Sequence, residues 1–428
     1  MTLPARTKPF FLPRWLPLCH ASLLALTLWF WSALLLSQTS LLGYVYSRDF
    51  SSVYVGAQIV AEGRGAQLYN LEVQRSRMDA DLLPYRRYNL LPYVYPAYVA
   101  VLLSPLAHLS LSKAFLFWAF LNFAITAWIA RRLIWDRFVT PRLRLAVLIA
   151  FLTWVPLQLT LGHSQMGLLC ALGFTEALTL LEARKFWQAG CWLALGLMKP
   201  QLLVLPLLSL VLWRCWRTLA SFATVVLIIL GLSFAKLGLW ISAYLRFLAV
   251  FNRGGAHVSV YPTAMQNWRG LVSLLLGTDL VAQWFLALLT IASIGLAVFV
   301  SFPSSDSSEL PPDWQARFAV AICLGILASP YLYGHDWVIA LPALIVLFSQ
   351  AERLSSVFDR RERAPTILGW LIAIAPFVSF AVQFGVWPQS TRIQLLPLYM
   401  GVLSGIATLV LQSRPDPNAF AMKSGPVA

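Results

Sequence analysis

Charge is scarce in this chain, and acidic charge is scarcest. In 428 residues there are 17 Asp and Glu against 32 Lys and Arg, and only 11% of positions are charged. Ordinary soluble domains carry about 25% charged residues, so a water-solvated globule is the wrong class. The five cysteines (Cys19, Cys170, Cys191, Cys215 and Cys323) lie in or beside apolar segments without CxxC spacing, which argues against a disulfide framework or a zinc site. Also missing are GxxxxGKS/T, a GxGxxG after a strand, and HExxH; the usual signatures of phosphate-loop, dinucleotide and zinc-peptidase chemistry go with them. The nearest approach to a DxD metal pair is Asp79-Ala80-Asp81. It lies among Arg75, Arg77, Arg86 and Arg87, a charged stretch that a solvated loop explains better. No metal site and no cofactor is expected.

What the chain has in abundance is apolar sequence: 59% of residues are hydrophobic, with 18 Trp and 26 Phe. Apolar runs of about 18 residues or more recur along its length, which predicts an all-α polytopic membrane protein. A β-barrel would show short alternating segments instead. The first run, from about 18 to 42, exceeds the h-region of a signal peptide, and Gln38-Thr39-Ser40 is no small-residue cleavage site. It is expected to remain as an anchor. The net charge of +15 gathers in short loops: Arg131, Arg132, Arg137, Arg142 and Arg144; Arg184 and Lys185; Arg214 and Arg217; Arg353, Arg360, Arg361 and Arg363. That is the positive-inside pattern and not a nucleic-acid surface.

Arg6, Lys8 and Arg14 precede the first run, so the N-terminus is expected in the cytoplasm and Asp49 outside. Alternating from the basic loops gives about twelve crossings with both termini cytoplasmic. The chain then reads as a single membrane domain over 1–428. A first module covers 1–235 with an external loop at 43–112, and a second helical half covers 236–428 with an external loop at 236–278. In this version 93–109, interrupted by Tyr95-Pro96 and Ser104-Pro105, does not cross but lies outside as a re-entrant or interfacial helix. The alternative makes 93–109 a span and fuses 187–213 into one helix with Lys199 buried. The first version brings His163, His257 and His335 to one membrane face with Asp49, Lys199, Arg253, Arg269 and Asp336.

Each of these positions has a structural and a chemical reading. Asp49 suits a helix N-cap, since Phe50-Ser51-Ser52 follows, and equally a general base at an interface. Gly162-His163-Ser164-Gln165 is a turn between helices or part of a site. Lys199-Pro200-Gln201 snorkels an amine to headgroups or presents a point cation to a lipid phosphate. Arg253 beside Gly254-Gly255 leaves a guanidinium open to an anion, and Gln266-Asn267-Trp268-Arg269 follows in the same loop. Ser329-Pro330-Tyr331-Leu332-Tyr333-Gly334-His335-Asp336 is the densest polar and aromatic cluster at any helix end. An interfacial aromatic belt explains its rings but not the His-Asp pair. Glu176 is the one carboxylate well inside an expected span, and internal bonding and support of a site both remain open.

Taken in order, an acidic residue after the first span, Tyr93-Val94-Tyr95-Pro96, the Gly162 to Gln165 turn, Lys199-Pro200, Asn267-Trp268-Arg269 and Ser329-Pro330 through His335-Asp336-Trp337 resemble glycosyltransferase family 87. This is a group of polyprenyl-phosphate-sugar-dependent enzymes of the GT-C superfamily that includes mannosyltransferases of phosphatidylinositol-mannoside assembly. The ordered set carries the resemblance, over about residues 44 to 345. It departs from the family pattern at Ala97, where a second proline is usual, and at Gly334-His335-Asp336. The resemblance implies a GT-C-like fold with juxtamembrane helices in the first external loop, in a bacterial inner membrane, with the site on the extracytoplasmic side. It implies a polyprenyl-phosphate sugar donor, a lipid or glycan acceptor, Asp49 as catalytic carboxylate and His335 as a second catalytic group. Tyr95, His163, Gln165, Lys199, Gln201, Arg253, His257, Asn267, Arg269, Tyr333 and Asp336 are the expected substrate-binding residues. A transporter or lipid flippase is the rival class. It predicts internal repeats and polar residues at mid-membrane; the sequence shows no repeat, and its candidate polar residues gather at one face.

Overall fold

The structure is a computed structural model that describes residues 13, 15–36, 49–82, 90–252, 262–302, 310–311, 313–357, 364–383 and 395–412. The described residues are helical throughout, linked by short turns. Among the described residues, six helices are long and apolar enough to cross a membrane: Leu16–Ala33, Leu111–Trp135, Trp216–Leu237, Leu280–Ser301, Gly334–Ala351 and Pro365–Val382. The bent pair Pro141–Thr153 and Val155–His163 makes a seventh if counted as one span. The other apolar helices are shorter, at 10–17 residues.

The first helices are α1 Leu16–Leu36, α2 Phe50–Ala61, α3 Leu71–Leu82, α4 Ala97–Leu103, α5 Leu111–Ala130, α6 Pro141–Thr153, α7 Val155–His163, α8 Gly167–Glu182, α9 Phe186–Leu193, α10 Val204–Leu212, α11 Trp216–Leu237 and α12 Ile241–Asn252. They are followed by α13 Trp268–Leu276, α14 Leu280–Ser301 and α15 Trp314–Ala328, then the 3-10 helix Gly334–Ala340 that leads into α16 Leu341–Val357.

Breaks in these helices have identifiable causes. Between α6 and α7 the chain bends by 53°, just ahead of Pro156, which lacks an N–H and crowds the carbonyl four residues back. That carbonyl, on Leu152, accepts from Gln158 Nε2 at 2.9 Å. The same amide bonds Thr27, and Trp31 donates to its oxygen, so the bend is tied to α1. Segment 93–109 forms only α4 and the 3-10 turn Ser104–His108, short of a full span. Segment 187–213 breaks at Lys199, with Phe186–Met198 on one side and Pro200–Leu212 on the other; the alternative of one fused helix does not occur.

Trp154, Trp213 and Trp337 are the largest side chains fully buried in the core, and the indole N–H of each of the three finds a carbonyl, as buried indoles usually do. Trp154 donates to Trp337, Trp213 to Ser301, and Trp337 to Gln266. Outward, α11 and α14 expose Leu227, Ile228, Leu232, Trp284, Leu288 and Ile291, apolar surface that hydrocarbon solvates and water does not. Glu176 is satisfied internally: it accepts from Trp128 Nε1 at 2.7 Å and pairs with Arg132 Nε at 2.9 Å. Asp81 of the Asp79-Ala80-Asp81 stretch sits in α3 and faces Arg77 and Gln58.

Candidate active site

A cavity of about 650 Å3 opens where several helix ends converge. Asp49 enters from the start of α2, Tyr95 and Pro96 from the segment before α4, and Gln165 from the turn after α7. Lys199, Pro200 and Gln201 come from the break after α9, and Tyr331, Tyr333, His335 and Asp336 from the approach to α16. Tyr244, Leu248 and Phe251 of α12 and Leu90, Leu91 and Val94 add an apolar wall. The polar residues Asp49, Gln165, Lys199, His335 and Asp336, distant in sequence, meet here because each lies at or beside a helix end.

Asp49 stands at the N-terminus of α2 but its side chain makes no cap hydrogen bond. Its backbone carbonyl accepts from Ser52 N and Oγ, while its carboxylate turns to the other side. Oδ2 accepts a short hydrogen bond from Gln165 Nε2 and lies 3.5 Å from His163 Nδ1. Burial pushes the Asp49 carboxyl up, but contact with His163, the nearby charge of His335 and the Gln165 amide together bring it down to about 2. The carboxylate is therefore ionised at neutral pH.

His163 and Gln165 reach one oxygen because the turn between them is tight. Ser164 has left-handed backbone (φ 53, ψ 50), a conformation that costs a residue other than glycine of order 1 kcal/mol. The turn closes with Ser164 N donating to Leu161 O and Gln165 N donating to Thr160 O.

Across the cavity Lys199 Nζ lies 2.6 Å from Asp336 Oδ1, and His335 Nε2 lies 3.2 Å from the same oxygen. Asp336 Oδ2 accepts from Tyr333 N, closing a capping box at the head of the 3-10 helix. Burial disfavours the Lys199 ammonium, but the Asp336 carboxylate outweighs it and holds the amine above its ordinary value. The two halves meet through ring contacts: His163 stacks on His335 with centroids 6.3 Å apart, and Lys199 Nζ lies 5.6 Å over the Tyr95 ring.

Not every expected residue joins this group. Asn267 is buried and caps α13, accepting from Gly270 N and donating to Ser329 O. Arg269 is bonded to Pro330 O. Neither lines the cavity. Arg253 and His257 lie outside the described residues. Tyr244 and Phe251 of α12 do line it, and sequence reasoning did not single them out: an aromatic on an amphipathic helix carries no signal that separates a cavity wall from a membrane belt.

Comparison with known proteins bears on what this cavity does. The sequence pattern of glycosyltransferase family 87 matches residues 93–330. A protein of Mycobacterium tuberculosis (strain CDC 1551 / Oshkosh), named polyprenol-phosphate-mannose-dependent alpha-(1-2)-phosphatidylinositol pentamannoside mannosyltransferase, is 25% identical over 308 residues, covering 69% of this chain and 67% of the relative. A protein of Mycolicibacterium smegmatis with the same name is 25% identical over 353 residues, covering 78% and 77%. No solved structure matches. The apolar helices mark an integral membrane protein, and with more than half its length matched the chain belongs to glycosyltransferase family 87.

Proposed function

We propose that this glycosyltransferase is inverting. It moves a hexose, mannose first among candidates, from a polyprenyl-phosphate sugar to a lipid-linked or glycan acceptor at the extracytoplasmic face of the bacterial inner membrane. The observation that carries this is the orientation of Asp49: an ionised carboxylate turned away from the helix it begins and towards a cavity that also holds a lysine and a histidine. The relatives' names supply the donor and the sugar, and a phosphatidylinositol-mannoside acceptor is the first to try.

In the reaction, the acceptor hydroxyl attacks the anomeric carbon from the face opposite the phosphate. The new carbon–oxygen bond forms as the bond to the phosphate oxygen breaks, and the configuration inverts. Asp49 takes the hydroxyl proton, a step suited to a carboxylate that is ionised before the substrate arrives. The departing polyprenyl phosphate keeps the electron pair of the broken bond, and Lys199 and His335 face the charge that develops there. Asp336 holds both of them in position. With the Lys199 ammonium facing a monophosphate leaving group, the step uses no divalent ion. A route of about twelve crossings, which counts the shorter apolar helices and leaves 93–109 juxtamembrane, carries the cavity to the outer face.

The test is transfer by the purified protein in lipid vesicles, with a panel of labelled polyprenyl-phosphate hexoses and a phosphatidylinositol-mannoside acceptor. Product from polyprenyl-phosphate mannose is expected. Absence of transfer from every polyprenyl-phosphate sugar, with solute movement across the vesicles instead, would overturn it.

A further inference from the structure

Tyr95 and Gln165 line the cavity and were expected to bind substrate, but their polar atoms are directed elsewhere. Tyr95 donates its hydroxyl to Gln165 Oε1 at 3.0 Å. An amide whose oxygen is held in this way presents its NH2 group to the opposite side, and there Gln165 Nε2 donates to Asp49 Oδ2. The chain Tyr95–Gln165–Asp49 has one polarity only, since a flipped amide would set its oxygen against the carboxylate and its NH2 group against the tyrosine.

The segment bearing Tyr95 is itself fixed. From Leu91 to Pro96 the backbone forms neither helix nor ladder, so its carbonyls call on other donors. Three consecutive carbonyls receive tyrosine hydroxyls: Val94 from Tyr244 at 3.3 Å, Tyr95 from Tyr69 at 3.0 Å, and Pro96 from Tyr93 at 2.8 Å. Tyr69 packs its ring against those of Tyr93 and Tyr244, which makes one cradle of the three. Gln74 of α3 accepts from Tyr93 N and donates to Leu68 O. The cradle thus holds Tyr95, Tyr95 orients Gln165, and Gln165 holds Asp49.

From this geometry we infer that Tyr95 and Gln165 are positioning residues for the base, and that Asp49 Oδ1, not Oδ2, receives the acceptor's proton. Oδ2 already faces two groups, Gln165 Nε2 and His163 Nδ1, and no described residue donates to Oδ1. The inference rests on the proposed transferase reading with Asp49 as base. The groups that bear on its titration are His163 and Gln165 from the turn after α7, His335 and Asp336 from the 3-10 helix, and Tyr95 and Lys199 from the remaining walls.

The test measures labelled-sugar transfer by the full-length protein in vesicles for Asp49→Asn, Tyr95→Phe, Gln165→Leu, the Tyr95→Phe/Gln165→Leu double variant and Gln165→Glu. A hydrogen bond to a charged group supports a loss of about tenfold or more in kcat for Gln165→Leu. Tyr95→Phe is expected to lower kcat in the same direction with donor KM unchanged, and the double variant to be no slower than Gln165→Leu alone. Gln165→Glu sets a second carboxylate against Oδ2, so the acid limb of its kcat profile moves to higher pH. Multiplicative losses in the double variant, a rise in KM without a fall in kcat, or an unmoved acid limb in Gln165→Glu would overturn the positioning role. If Asp49→Asn transfers at the wild-type rate, it is the reading of Asp49 as base that fails. An inactive Asp49→Asn with multiplicative Tyr95 and Gln165 losses rejects the positioning inference alone.

Discussion

Lys199 Nζ and Asp336 Oδ1 are 2.6 Å apart in the cavity wall, where the carboxylate is 1% exposed. The pair joins the break after α9 to the head of the 3-10 helix before α16, so one ion pair fixes two walls of the site. A buried pair of this kind is a weak stabiliser as a whole, but removing one partner strands the other charge at a cost of about 3–5 kcal/mol. Lys199→Met should therefore lower the thermal unfolding temperature of the detergent-solubilised protein. Lys199→Met/Asp336→Asn should recover part of that loss without recovering transfer. A double variant less stable than either single one would show that the pair is not coupled in this way.

The Asp49 carboxyl sits below its ordinary value, at about 2 against 3.8. A depressed folded-state value stabilises the fold above the unfolded value, and the contribution is lost as pH falls towards the folded one. Asp49 should thus contribute nothing to stability changes between about pH 7 and 5, and its contribution should fade only below about pH 4. His163→Ala removes a group that holds the carboxyl down, so the contribution should be smaller and its loss complete at a higher pH than in wild type. Melting temperatures of both proteins across the acid range check this; identical profiles would remove His163 from the account of Asp49.

Asn267 caps α13 and holds Ser329 O. Losing a cap costs about 1 kcal/mol, and Asn267 also forfeits the buried bond to Ser329. Asn267→Ala is accordingly expected to lower the unfolding temperature and leave donor KM unchanged. A selective rise in KM would return Asn267 to the substrate-binding set.

Transfer should persist undiminished in EDTA, since the proposed leaving-group stabilisation comes from side chains. Loss of activity on chelation, with recovery on adding one divalent ion, would contradict this.

Much of this organisation was legible in the sequence, for physical reasons particular to each feature. Helical class follows from apolar run length, and the break at Lys199 from the proline after it. The Gly162 to Gln165 turn and the His335-Asp336 pair stood out because polar residues between apolar runs need an explanation. Partners were not legible. Nothing in the spacing shows that Gln158 serves the carbonyl displaced by Pro156, or that three tyrosines serve the carbonyls of 94–96. Asn267 looked like a site residue because a helix cap and a ligand donor use the same side chain. Asp49 had two readings for the same reason, and the direction of its carboxylate, which no sequence pattern encodes, sets the capping one aside.

The most direct measurement of the central claim is the initial rate of labelled mannose transfer from polyprenyl-phosphate mannose by the purified protein in vesicles, wild type against Asp49→Asn. General-base assistance supports about a hundredfold or greater loss in kcat, with the variant still folded by its melting temperature and donor KM close to wild type. Wild-type turnover in Asp49→Asn would contradict the assignment of Asp49 as the base.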